Sequence, residues 1–158
     1  MLRELHISNL AVIEDVTLEL GEGLNCFTGQ TGAGKSLILG AFEILLGLKS
    51  GSAAEMLRPG AEEGRISGLF ELARPEIAQQ VAELADMPED DGASLLITRK
   101  LFASGRSSTA INGRPATASM VRDIGRLLVD IHGQHDHQYL LLPSNQLRIL
   151  DAFGRCTP

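Results

Sequence analysis

The feature that most constrains this chain is the segment 29–36, which matches the pattern G-x-x-x-x-G-K-[ST] without a gap. A short apolar run, Leu24–Thr28, precedes the segment, and residues with helical spacing, Gly34–Leu48, follow it. A strand before the segment and a helix after it are the context that a phosphate-binding loop requires. The segment consists of Gly29, Gln30, Thr31, Gly32, Ala33, Gly34, Lys35 and Ser36. The pattern and its context together predict a nucleotide-binding site.

The chemistry of a nucleoside triphosphate accounts for these residue types. Glycines let the backbone approach the phosphates, so that consecutive N–H groups point at phosphate oxygens. Lys35 supplies a positive charge to the β- and γ-phosphates, and Ser36 offers a hydroxyl to Mg²⁺. The start of the helix presents its positive dipole end to the same anion. We therefore expect ATP and Mg²⁺ as cofactors, against the alternative of a glycine-rich turn with an exposed lysine.

Hydrophobic periodicity predicts an α/β fold. Alternating apolar and polar residues indicate half-buried strands, and a continuous apolar run bounded by glycines indicates a buried central strand. The predicted strands are Leu2–Leu10, Val16–Leu20, Leu24–Thr28, Ile66–Leu72, Leu95–Ala103, Ser107–Asn112 and Leu127–Ile131. The predicted helices are Gly34–Leu48, Pro75–Ala85, Thr117–Arg126 and Ser144–Phe153. We expect a P-loop NTPase with a mixed central sheet and an antiparallel β layer.

A second candidate site follows the apolar run 127–129. Hydrolysis by P-loop enzymes needs an acidic Mg²⁺ ligand at a strand end and a group that orients water. Asp130 is a candidate for the acid, and Gln134 is a candidate for contact with both Mg²⁺ and the attacking water. The same loop contains His132, His135 and His137. Their spacing matches no standard zinc pattern.

Charge and cysteine usage limit the partners and the compartment. The net charge is −6, from 14 basic and 20 acidic side chains, which has the wrong sign for a surface that grips nucleic acid everywhere. Any contact with DNA must therefore be local. Cys26 and Cys156 lack the spacing of a zinc or redox motif, and the longest apolar stretch, Leu37–Leu48, is too short to span a bilayer. We expect a soluble, cytoplasmic protein without a membrane partner.

Segments outside the phosphate loop carry a narrower signal. They include Leu2–Leu10, Gly23-Leu-Asn25, Ile111-Asn-Gly-Arg-Pro115, Val129-Asp-Ile-His-Gly-Gln-His135 and Leu150-Asp-Ala-Phe-Gly154. With the phosphate loop, they make the chain resemble the amino-terminal part of the RecN family of bacterial DNA-repair proteins, which are ABC-type, SMC-like ATPases. The resemblance extends over essentially the whole chain. It implies the amino-terminal lobe of an ABC/SMC-like ATPase head.

The resemblance also implies roles for individual residues. Lys35 and Ser36 become phosphate and magnesium ligands, and Gln134 becomes the catalytic Q-loop glutamine that senses the γ-phosphate through Mg²⁺. Asp130 becomes a residue at the end of a strand. Arg58 lies where SMC-like heads often place a basic residue that reaches the nucleotide or DNA.

Two positions depart from the family pattern. Gln30 stands where such proteins usually have glutamate, a change that should leave phosphate binding intact. Ala11 stands where several SMC relatives have arginine, so an arginine contact from that position is missing.

The family resemblance implies a function in DNA double-strand-break repair and recombination, in a bacterial, nucleoid-associated setting. The sequence contains no Leu-Ser-Gly-Gly signature and no downstream strand of four apolar residues followed by Asp-Glu. We therefore expect residues 1–158 to be the amino-terminal half of a head, without its coiled coil and carboxy-terminal half. Its implied partners are DNA ends or single-stranded regions, that carboxy-terminal half and a second, ATP-dependent head. Hydrolysis by the chain alone should be very slow.

A basic stretch in residues 96–128 is a candidate DNA contact. It contains Arg99, Lys100, Arg106, Arg114, Arg122 and Arg126, with Asp123 as its acid. A phosphate backbone would bind such a stretch with an affinity that falls as salt rises, although isolated surface arginines are also common. Two further functions remain open, namely a self-contained P-loop kinase or NTPase that uses Asp130, and a binding module that does not hydrolyse its nucleotide.

Overall fold

The computed structural model describes residues 1–29, 34–49, 53–88, 94–131 and 143–154. The chain divides into two compact units, Met1–Leu128 and Val129–Pro158. The described part of the second unit consists of residues 129–131 and one helix, α5 (Pro143–Gly154). The first unit contains all of the described strands and the remaining described helices.

The first unit is built on one six-stranded sheet. Its strands are β1 (Leu2–Leu10), β2 (Ile13–Glu19), β3 (Glu63–Glu71), β4 (Ser94–Phe102), β5 (Ser107–Ile111) and β6 (Arg114–Ala116). The strand order is β2-β1-β3-β4-β5-β6, and every pairing among the described strands is antiparallel. The antiparallel β layer expected from the alternating sequence is therefore present.

Period-two alternation explains which face of the sheet is buried, because successive side chains of a strand point to opposite faces. Most inward positions of the central strands are apolar, and Arg99 in β4 is an exception. The apolar positions include Leu5, Ile7, Ile66, Phe70, Leu95, Ile97, Leu101 and Ile111, all of which are buried. The opposite face is polar: the Ser67 and Thr98 hydroxyls hydrogen-bond across β3 and β4 at 3.3 Å, and Lys100 pairs with Glu63 at 2.8 Å. One apolar face thus forms the core of the first unit.

Four helices belong to the first unit: α1 (Lys35–Leu45), α2 (Ala53–Met56), α3 (Pro75–Ala85) and α4 (Ala118–Leu128). Helix α1 packs on β3 and β4, where the rings of Phe42 and Phe70 stack with centroids 6.2 Å apart. Helix α4 packs beside α3 and lies against the end of α1, where a Cβ on Gly125 would stand 3.0 Å from the Leu46 carbonyl oxygen. The inner face of the sheet therefore positions the helix that follows the phosphate loop.

Two strands predicted from apolar runs are wrong. Leu24–Thr28 forms no strand, and Leu24 is 90% and Phe27 50% exposed. Leu127 and Leu128 end helix α4, and residues 129–131 are not in a strand. A strand needs a neighbour for its N–H and C=O groups, and these two segments pair with no strand in the described part of the chain.

Among the described residues, no helix is both long enough and apolar enough to cross a membrane.

Candidate nucleotide-binding site

The phosphate loop leads directly into helix α1. Gly34 occupies the N-cap position with φ 88°, a left-handed conformation that glycine adopts without steric cost. The Ile38 N–H donates to the Gly34 carbonyl at 2.9 Å, which closes the first turn. Lys35 and Ser36 therefore occupy the first turn of an 11-residue helix, at its positive dipole end.

The first turn of α1 suits an anion. It contains no acidic residue, and no side-chain hydrogen bond caps the helix among the described residues. The first backbone N–H groups of a helix have no partner within the helix, so they are donors that a phosphate can use. The four loop residues Gln30, Thr31, Gly32 and Ala33 lie outside the described residues.

The lysine of the motif is held at the beginning of the loop. Lys35 Nζ donates a hydrogen bond to the Gly29 carbonyl oxygen. This contact joins the first residue of the motif to its seventh, so the described ends of the loop lie side by side. The structure thus brings Gly29, Gly34, Lys35 and Ser36 together at one end of α1.

Arg58 lies at the β1–β2 turn. Its guanidinium donates to the Val12 carbonyl oxygen at 3.1 Å and to the Glu14 carboxylate at 3.4 Å. Its backbone N–H donates to the Asn9 carbonyl at 3.0 Å, so the segment after α2 is attached to the end of β1. The same turn contains Ala11 with φ 47°, a left-handed conformation that is unusual for alanine. The contacts of Arg58 thus join it to this turn.

The second candidate site is only partly described. Gln134 and the histidines at 132, 135 and 137 lie outside the described residues. Asp130 is exposed and follows helix α4 instead of a strand. The strand end that motivated Asp130 as a metal ligand is therefore not formed. No group of three or more His, Cys, Asp or Glu side chains in the described part of the chain could hold a metal ion.

The basic stretch 96–128 does not form one positive surface. Lys100 pairs with Glu63, and Arg126 lies 3.6 Å from Asp123. Arg99 and Arg122 instead face the end of helix α1 and donate to the backbone carbonyls of residues 44 and 47. Arg106 and Arg114 are exposed and remain candidates for contact with DNA.

The Arg99 side chain lies against the end of helix α1, a position that its charge alone did not indicate. Its Nη1 donates to the Ile44 carbonyl oxygen at 2.9 Å, and its Nη2 donates to the Ser107 hydroxyl at 3.3 Å. Burial lowers the pKa of Arg99 below its usual value, because the charged form loses solvation. The alternation of β4 indicates this position, because Arg99 follows Leu95 and Ile97 at intervals of two residues. Its side chain therefore points to the same buried face of the sheet.

Comparison with solved structures identifies the fold class. The fold matches a chain from a study of ATP-driven dimerisation and DNA-stimulated activation of SMC ATPases, with a TM-score of 0.68 and 20% identity over 95% of this chain and 97% of the other. It also matches the recombination mediator RecF bound to ATP, with a TM-score of 0.63 and 21% identity over 96% of this chain and 38% of the other. The fold is that of the amino-terminal lobe of an ABC/SMC-like P-loop ATPase head.

Sequence comparison identifies the family. The chain belongs to the AAA domain family, whose model matches residues 4–90. It is similar to the DNA repair protein RecN of Halalkalibacterium halodurans, with 42% identity over 154 residues, 98% of this chain and 27% of the relative. It is also similar to RecN of Bacillus subtilis, with 39% identity over 156 residues, 98% of this chain and 26% of the relative. The chain therefore spans about a quarter of the length of these relatives, and the resemblance to the amino-terminal part of RecN is confirmed.

Proposed function

We propose that the chain is the Mg-ATP-binding amino-terminal lobe of a RecN-like ATPase that acts in DNA double-strand-break repair and recombination. The observation that carries the proposal is the placement of Lys35 and Ser36 in the first turn of α1, directly after the left-handed Gly34. Similarity to RecN over 98% of the chain supports the assignment to DNA repair. The proposed setting is the bacterial cytoplasm, in association with the nucleoid.

The proposed ligand contacts follow the chemistry of the triphosphate. The backbone N–H groups of residues 29–36 bind the phosphates, Lys35 neutralises the β- and γ-phosphates, and the Ser36 hydroxyl binds Mg²⁺. Gln134 contributes a second Mg²⁺ contact and acts as the catalytic sensor of the γ-phosphate. Arg58 reaches the nucleotide or DNA, in exchange for its contacts with the β1–β2 turn.

The proposed protein partner nearest to the site is the carboxy-terminal half of the same head. The exposure of Leu24 and Phe27 supports this partner, because these apolar side chains lie just before the phosphate loop and a covering surface would remove them from water. Hydrolysis then depends on that half and on a second head that pairs in an ATP-dependent manner. DNA ends or single-stranded regions are the proposed nucleic-acid partner of the complete protein.

A calorimetric titration of the chain with Mg-ATP tests the nucleotide site. We expect binding by the unaltered chain and its loss in Lys35→Ala, because the alanine removes the charge that faces the phosphates. Lys49→Ala is the matched control, since Lys49 lies beyond the opposite end of α1 and is 3.7 Å from Glu43. Equal affinity in Lys35→Ala and the unaltered chain would contradict the proposed site.

A further inference from the structure

The carboxy-terminal end of helix α1 is held by two arginines from different elements. Arg99 in β4 donates through Nη1 to the Ile44 carbonyl oxygen at 2.9 Å. Arg122 in α4 donates through Nε to the Gly47 carbonyl oxygen at 3.1 Å. The last carbonyls of a helix carry its negative dipole end, and the Ile44 oxygen also accepts the Gly47 N–H at 3.0 Å. Two positive side chains therefore neutralise the end of α1 opposite to the phosphate loop.

The buried environment of Arg99 is unfavourable for stability if the residue has only a structural role. It shares the inner face of β4 with Leu95, Ile97 and Leu101, which are buried. Its Nε is buried and has no hydrogen-bond partner among the described residues. A buried donor without a partner is destabilising, and an apolar side chain of similar size avoids that cost. Stability alone therefore does not account for an arginine at this position.

The hydrogen bonds of Arg99 instead relate this residue to the position of helix α1 along the helix axis. The side chain connects three elements, because Nη2 also donates to the Ser107 hydroxyl in β5 at 3.3 Å. The guanidinium is planar and rigid, so these two contacts restrict both the distance and the angle between the helix end and the sheet. A helix of this length, about 16 Å, transmits a displacement of one end to the other.

We infer that Arg99 is a positioning residue for nucleotide binding, which holds the carboxy-terminal end of α1 so that Lys35 and Ser36 stand at the correct depth for the phosphates. The inference rests on the proposed nucleotide site. In the proposed role Arg99 contacts neither the nucleotide nor the metal and acts through the helix. Misplacement of a binding group by about 1 Å is enough to lower an affinity or a rate substantially.

The test compares variants of the full chain that remove the contacts of Arg99 in steps. Arg99→Met keeps the length of the side chain and removes its donors, and Arg99→Lys keeps the charge with a different donor geometry. Ser107→Ala removes only the second acceptor and leaves the helix contact. Arg74→Met is the matched control, because Arg74 is an exposed arginine whose side chain makes no capping hydrogen bond to α3. For each folded variant we would measure the Kd for Mg-ATP and the amide hydrogen-exchange rate at Ile38.

We expect Arg99→Met to weaken Mg-ATP binding by about tenfold and Ser107→Ala by about threefold, the range that the loss of single hydrogen bonds gives. Arg99→Lys should regain part of the affinity, and Arg74→Met should leave it unchanged. Exchange at Ile38, whose N–H bonds to Gly34, should accelerate in the same order without any nucleotide. A looser first turn of α1 and a weaker phosphate contact would then have one cause.

Two results would contradict the inference. One is unchanged Mg-ATP affinity in folded Arg99→Met and Ser107→Ala, with Lys35→Ala still abolishing binding; Arg99 would then only stabilise the fold. The other is unchanged exchange at Ile38 in every variant that folds, with Ser107→Ala as the deciding variant if Arg99→Met does not fold. This measurement needs no bound nucleotide. Mg-ATP binding that is retained in Lys35→Ala would contradict the proposed nucleotide site. The exchange rate at Ile38 would then be the test of whether Arg99 positions α1.

Discussion

Gly64 in β3 lies so close to Asn9 in β1 that a methyl group on Gly64 would stand 2.8 Å from the Asn9 carbonyl oxygen. That oxygen already accepts the Arg58 backbone N–H, and the Asn9 side chain donates to the Glu63 carbonyl at 3.2 Å. The left-handed Asn9, with φ 53°, lets β1 turn toward the segment after α2 at this point. The close approach therefore connects the sheet with the segment that contains Arg58.

We predict that Gly64→Ala lowers the free energy of unfolding by about 2–3 kcal/mol, because the new methyl group meets backbone that cannot move aside. Gly40→Ala is the control. Gly40 lies within α1, and nothing stands within 4 Å of the methyl group that it would gain. Alanine there should instead add about 0.5–1 kcal/mol of stability through helix propensity. Chemical denaturation of both variants measures the difference, and equal stabilities would show that the approach of β3 to β1 is not tight.

The turn between β5 and β6 supports a second prediction. Asn112 and Gly113 both have positive φ, at 46° and 79°, as a two-residue hairpin turn with this twist requires. A Cβ on Gly113 would meet no atom within 4 Å, so the cost of Gly113→Ala comes from backbone conformation alone. We expect a loss of about 1 kcal/mol in the free energy of unfolding, measured by chemical denaturation. Ala116→Gly in the neighbouring strand β6 should cost less, because it leaves this turn intact.

Short-range sequence patterns predicted those strands and turns of the first unit whose stabilising contacts lie within the chain. Alternation at Leu5, Ile7, Leu95 and Ile97 indicated which face of the sheet is buried, because side chains two residues apart on a strand point to the same face. The Asn112-Gly113 pair indicated the hairpin turn, because few residues adopt positive φ without cost. Helical spacing after the phosphate loop indicated helix α1.

Signals that depend on a distant partner were less reliable. The run Leu24–Thr28 has the composition of a buried strand, but composition does not state whether a neighbouring strand exists to pair with it. Arg99 was named as part of a candidate DNA contact because it lies in a basic stretch, but its inward register in β4 places it against helix α1. In both cases the outcome depends on tertiary contacts, which lie beyond the range of a local pattern.

The exposed segment before the phosphate loop supports a third prediction. The double variant Leu24→Asn with Phe27→Asn should change the free energy of unfolding of this chain by less than about 0.5 kcal/mol, because both side chains already contact water. Ile97→Asn, at a fully buried position of β4, should cost about 3 kcal/mol or more. Thermal unfolding distinguishes the two. A large loss in the free energy of unfolding of the double variant would instead indicate that Leu24–Thr28 is the buried central strand that the sequence predicted.

The final prediction concerns turnover of ATP. The proposed phosphate site would supply ground-state contacts to the nucleotide, whereas hydrolysis needs a group that orients water and charges that stabilise the transition state. The sequence contains neither a Leu-Ser-Gly-Gly signature nor an Asp-Glu strand end, and the chain spans 27% of its H. halodurans relative. We expect a steady-state rate at least about 100-fold below that of a full-length relative, the size of effect that loss of one transition-state contact produces. A phosphate-release assay with Lys35→Ala alongside measures it. A rate equal to that of the full-length relative and abolished by Lys35→Ala would show instead that residues 1–158 form a self-contained NTPase.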